Sequence, residues 1–173
     1  MRKLILLTIV LALAAMPASA QRLNIDIPGL ADRATEVVDV TLDAQMLRLA
    51  SSFFSGDADE RAIRDIVHAL EGIYVRAYEF DKPGEYDMRQ VENFRRQLGP
   101  TWKRIVNVRS RDRDNVEVYT DVRGEKVVGL VVIAAEPREL TIVNIVGPID
   151  MARLADLEGH FGVPNIKIEV KDK

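Results

Sequence analysis

The chain carries two histidines, His68 and His160, far apart in sequence, and histidine is the commonest general base. His68 lies between Val67 and Leu70 but shares a helical face with Arg61, Arg64 and Asp65, the setting of a solvated side chain rather than a catalyst. His160 falls just past an expected helix end, where its cationic form suits the negative end of the helix dipole. There is no H-x-x-x-H pair, so a histidine-rich metal site is not expected. Acids pair at Asp57/Asp59, Asp112/Asp114 and Glu136/Glu139, and two neighbouring carboxylates could serve hydrolysis or hold calcium. An EF-hand loop would need further oxygen ligands and a glycine at its sixth position, whereas Val116 follows Asp112-x-Asp114. Helix capping accounts for Asp57, and turn chemistry for Asp112, Asp114 and Glu136. Ser51, Ser52, Ser55 and Ser110 sit in no G-x-S-x-G frame, and the glycines form neither a phosphate loop nor a dinucleotide fingerprint. No catalytic, cofactor-binding or metal-binding residue is assigned on these grounds. An enzyme would have to draw on carboxylates scattered along the chain.

One cluster points to binding. Lys103, Arg104, Arg109, Arg111 and Arg113 gather around an expected hairpin, with Arg95, Arg96 and Arg123 candidates to lie near it. They form a candidate contact for an anionic surface, lipid head groups or an acidic protein, while Asp112 and Asp114 dilute the charge. The competing reading is a solvated hairpin with cross-strand ion pairs. Asn107 and Asn144 interrupt apolar strands, and a buried amide must be hydrogen-bonded, so a bond to a neighbouring loop is the expected role of Asn144. Tyr74, Tyr78, Tyr86 and Trp102 could line a binding face, with core or rim packing as the simpler expectation.

The elements that must position these residues follow from periodicity. Val37, Val38, Val40 and Leu42 read as a strand; Asp43 then caps a helix with apolar positions at Met46, Leu47, Leu49, Ala50 and Phe53. Asp57 with Glu60 suggests a capping box for a second helix, with Ile63, Ile66, Val67 and Leu70 as its buried stripe. Ile73 to Phe80 reads as a strand, and Asp87 with Gln90 opens a third helix presenting Met88, Val91, Phe94 and Leu98. Strands are expected over Trp102 to Ser110, Asn115 to Val122, Lys126 to Ala135 and Leu140 to Val146. Their short connections require antiparallel neighbours, and the doubly apolar run VVGLVVIAA belongs in the middle of the sheet. A short helix using Met151, Leu154 and Leu157 closes the pattern. The sum is a single α+β domain, with a five- or six-stranded mostly antiparallel sheet and helices packed largely on one face.

At the N-terminus, MRKLILLTIVLALAAMPASA has two cations, an apolar run too short to span a bilayer and small residues at Ala18 and Ala20, the layout of a cleavable export signal over 1–20. A loose leader, or one helical turn after Pro28, is expected over 21–35, the domain over 36–164, and a polar tail over 165–173. The formal charge is −3, or −5 without the signal's Arg2 and Lys3, a sign that disfavours nucleic acid as partner. The chain has no cysteine, which excludes disulfides, thiolate chemistry and an acylated N-terminal cysteine, so a periplasmic or secreted protein that is not a lipoprotein is expected.

YVRAYEFD (Tyr74 to Asp81), GLVVIAAEPRELTIVNIVGPID (Gly129 to Asp150) and LEGHFGVP (Leu157 to Pro164) resemble the bacterial domain-of-unknown-function 4252 family, with a likeness running from about Val37 through Pro164. At His160 the resemblance would place a polar amide instead. The resemblance implies an exported α+β domain and supplies no activity, cofactor or catalytic residue; it also implies relatives encoded near extracytoplasmic-function sigma factors and their membrane regulators. The resulting expectation is a non-enzymatic interaction domain without cofactor, partnered by an envelope protein in an envelope or sigma-factor circuit. The alternative is a periplasmic carrier of a small ligand or lipid.

Overall fold

The β-branched run from Glu36 forms β1 (Glu36–Asp43), the first element in a computed structural model that describes residues 22–54, 56, 58–110 and 115–150. Asp43 ends it and caps α1 (Ala44–Ser51), its carboxylate accepting the backbone N–H groups of Gln45 and Met46, each at 2.9 Å. α2 (Ala58–Ala69) and β2 (Gly72–Glu79) follow. α3 (Met88–Arg95) opens on the expected box: Asp87 accepts the Arg89 N–H at 2.8 Å, and Gln90 accepts the Asp87 N–H at 3.1 Å. Four strands complete the domain: β3 (Trp102–Val108), β4 (Asn115–Arg123), β5 (Lys126–Ala135) and β6 (Glu139–Ile149). The export signal, the Asp57 box residue, the Asp112/Asp114 pair, the helix expected from Met151, His160 and the C-terminal tail lie outside the described residues.

The six strands make one antiparallel sheet in the order β1-β2-β6-β5-β4-β3. The apolar run of β5 is interior, as its lack of alternation requires. Because side chains alternate along a strand, register divides the sheet into two faces. Tyr74 lies opposite Asn144, and Asn144 opposite Val131, so these share the first face; Ile73, Ile145 and Leu130 share the second.

The first face holds the larger core. Tyr78, Leu140, Ile142, Val131 and Ile133 lie under Val91 and Phe94 of α3. The N-terminal segment, expected as a loose leader, packs here too, with Leu23, Ile25, Ile27 and Leu30 buried and Leu30 wholly inaccessible. Its alternating Leu23, Ile25 and Ile27 lie along the sheet face without a ladder, and the turn after Pro28 closes through Leu30 N to Ile27 O at 3.2 Å and Ala34 N to Leu30 O at 3.0 Å. On the second face α1 and α2 build a smaller cluster of Leu47, Ile63, Val67 and Leu70 against Leu42, Ile73, Ile145 and Ile149. Two of the three described helices therefore sit on this face. Gly147 makes their seat possible: at φ +128°, a Cβ there would stand 2.7 Å from Glu71 N and 2.9 Å from the Leu70 Cα, and the Glu71 N–H donates to Val146 O at 2.7 Å.

Candidate functional site

Beside α3 the first face runs out of core and turns polar. Glu117 of β4, only 5% exposed, is fixed by three donors: Arg95 Nε at 2.7 Å and the Tyr119 hydroxyl at 3.1 Å on one oxygen, and Arg104 Nη1 at 3.5 Å on the other. Arg95 reaches it from the last turn of α3 and also holds Glu92 at 2.6 Å. Burial alone would lower the Arg95 pKa, but the carboxylates of Glu92 and Glu117 outweigh it and hold the guanidinium still more firmly protonated. Burial, and after it the Glu117 charge, raises the Tyr119 hydroxyl above its ordinary value. These residues, with Leu98, Gly99, Trp102 and Arg109, border an open groove of about 350 Å³. Both oxygens of the Glu117 carboxylate are engaged by donors. The groove instead presents the outer donors of Arg104 and Arg109 beside two aromatic rings, an arrangement for contacting an anion.

Of the five basic residues singled out by sequence, Arg104 and Arg109 therefore line one groove, and α3 brings Arg95 to it. Lys103 belongs to the opposite face, since its register partner Thr120 does. Arg111 and Arg113 lie outside the described residues. Arg96 bonds Asn93 on its own helix, and Arg123 reaches the inaccessible Asp121 at 3.0 Å.

A second open cavity, of about 430 Å³, lies where the N-terminal segment crosses β1 and β2. Arg76 is fixed there by Asp39 at 2.9 Å and Asp26 at 3.6 Å, and the Arg22 guanidinium lies 4.2 Å from the centre of the Tyr74 ring. Sequence reasoning passed over Arg76, although an arginine flanked by Tyr74 and Tyr78 at strand spacing was a visible signal.

The remaining candidates fall into structural roles. His68 is exposed in the last turn of α2. The Ser51 hydroxyl donates to Arg48 O at 2.8 Å. Asn107 is exposed, whereas Asn144 is inaccessible and does what a buried amide must: its oxygen accepts the Leu23 N–H at 3.1 Å, and its nitrogen donates to Leu130 O at 3.4 Å. Tyr78 ties the same segment, accepting the Ile27 N–H and donating to Asp26, each at 3.0 Å; burial is the main reason its pKa is raised. Tyr86 stacks on Phe80 and donates to Glu136 O, so the Glu136/Glu139 hairpin is held through its backbone. Among the described residues no three His, Asp or Glu side chains gather as metal ligands would, and no helix is long and apolar enough to cross a membrane.

α1 departs from expectation in a telling way. Of its apolar positions only Leu47 is buried; Met46, Leu49 and Phe53 are 49%, 58% and 78% exposed. Their i, i+3, i+7 spacing sets them along one side of the helix and the turn after it, as an uncovered apolar ridge.

Neither a curated protein nor a solved structure matches this chain. A family model does: Domain of unknown function (DUF4252) matches residues 32–157, from the turn that ends the N-terminal segment through all six strands, and the chain belongs to that family.

Proposed function

We propose that the protein is an exported, non-enzymatic interaction domain that docks an envelope protein, within an envelope or extracytoplasmic sigma-factor circuit. The observation that carries this reading is the ridge of Met46, Leu49 and Phe53, three large apolar side chains left in solvent by a helix that already has a core contact through Leu47. Such spacing is what one helix presents to an apolar groove, and the partner it fits is a protein offering that groove. Crosslinking in the envelope followed by capture should recover a partner with the wild-type chain. Leu49→Gln with Phe53→Ser should reduce recovery at least about tenfold while shifting stability by no more than roughly 0.5 kcal/mol, as expected for exposed positions. Equal recovery by both chains would refute the reading.

The carrier alternative is narrowed by the lining of the two cavities. Arginines, acids and aromatic rings suit a small anionic solute better than an acyl chain. Co-sedimentation with anionic but not neutral vesicles would instead favour contact with lipid head groups through Arg104 and Arg109.

A further inference from the structure

The sheet is open, and its two outer strands differ in charge. β1 carries Glu36, Asp39 and Asp43; β3 carries Lys103 and Arg104, with Arg109 immediately after it. Glu36, Lys103 and Arg109 have no ion-pair partner among the described residues. The same strands carry half of the large exposed apolar side chains of the described residues: Val37 and Val38 at 37% and 40%, Ile105 and Val108 at 50% and 46%. Each strand is paired on one side only, β1 with β2 and β3 with β4. An edge of this kind offers a row of backbone donors and acceptors to another strand.

We propose that the occupant is a second copy of the chain, the acidic β1 edge of one copy pairing with the basic β3 edge of the next. Two features select this arrangement. Like edges repel: β1 on β1 sets acids against acids, and β3 on β3 sets bases against bases, which disfavours a two-fold dimer. Strand parity then supplies the geometry. Six strands alternating in direction leave β1 and β3 antiparallel, so a copy moved along the sheet lays its β3 antiparallel to β1 with the same face upward. Along the strands that alignment brings Glu36 toward the Arg109 end and Asp43 toward the Lys103 end, each pair on opposite faces, so the attraction acts between whole edges rather than between facing side chains. The contact is head-to-tail, so it grows beyond a dimer into a ring or filament, and sheet twist makes the path helical rather than flat. The bulge between Arg104 and Val106 interrupts the β3 edge, which keeps the contact weak and salt-sensitive.

Sedimentation velocity on the purified exported chain tests this without any envelope partner, so its outcome is separate from that of the docking reading above. Mean mass should rise with concentration at low ionic strength and fall back to the monomer near about 1 M salt, where the screening length is roughly 3 Å. Glu36→Arg alone, and Arg109→Glu alone, should each weaken association about threefold, as each reversal lowers the opposite charge that one whole edge presents to the other. An equimolar mixture of the two variants should associate again, because each supplies the edge of opposite sign that the other has lost. A chain that stays monomeric at every concentration, variants that associate like the wild type, or a mixture no better than its components would each overturn the proposal. Thermal melts of both variants, which alter exposed side chains, should match the wild type.

Discussion

The two faces of the sheet are covered by different means, and the difference explains where the molecule is closed and where it is open. On the first face, α3 and the N-terminal segment are held by side chains that reach across long stretches of sequence: Asn144 to Leu23, Tyr78 to Ile27 and Asp26, Gln97 to Asn24, and Arg33 to Glu85. Each buried polar partner accepts one seating of the segment, because any other leaves an N–H or amide unsatisfied in a dry interior. On the second face, α1 and α2 rest on a small apolar cluster and on the close approach at Gly147. Apolar contact is less particular about orientation, and here it leaves Met46, Leu49 and Phe53 uncovered.

Gly147→Ala should damage the second face most. The alanine would have to adopt φ +128° while its Cβ pressed on Leu70 and Glu71, so a loss of at least about 3 kcal/mol is expected by urea unfolding. A loss below about 1 kcal/mol would show that the helix pair can lift away from β6 and that the contact at Gly147 does not hold this face together.

Asn144→Ala should come next and act on the first face, at about 2–3 kcal/mol, because it orphans the buried Leu23 N–H and removes the amide's bond to Leu130 O. Hydrogen exchange should then quicken over residues 22–30 while the amides of α1 and α2 keep their protection. Uniform quickening would mean that the two faces unfold as one unit and the contrast has no energetic content.

The smallest effect concerns pH. Burial, and then the charges of Glu136 and Glu139, push the Tyr86 hydroxyl up to about 12, so the folded chain holds that proton more tightly than the unfolded one. Its contribution is whole below the ordinary tyrosine value of 10.0 and drains away as pH climbs from there toward about 12. Tyr86→Phe should flatten the fall in stability across that window; an unchanged slope would remove Tyr86 from the alkaline transition.

Much of the scaffold was legible because it rests on local rules. Asp43 and Asp87 stood where a carboxylate could meet free helix N–H groups, and VVGLVVIAA could only be an interior strand. The turn after Pro28 was legible, but the burial of the N-terminal segment was not, because it depends on partners 51 and 121 positions away, which no window contains. Its Leu23-x-Ile25-x-Ile27 alternation was the available clue. The basic cluster was legible as composition but not as a site, because alternation sent Lys103 to one face and Arg104 to the other while α3 delivered Arg95 from outside the hairpin.

Residue order alone determined the α+β pattern, the antiparallel strands, the helix starts and the family likeness, since each follows from neighbours within a few positions. Only tertiary structure decided that Glu117 lies beneath two arginines, that one side of α1 faces solvent, and that the sheet ends in an acidic edge and a basic one. Those outcomes depend on which strands meet and which faces are covered, and that is settled by long-range packing and by hydrogen bonds between buried groups far apart in sequence.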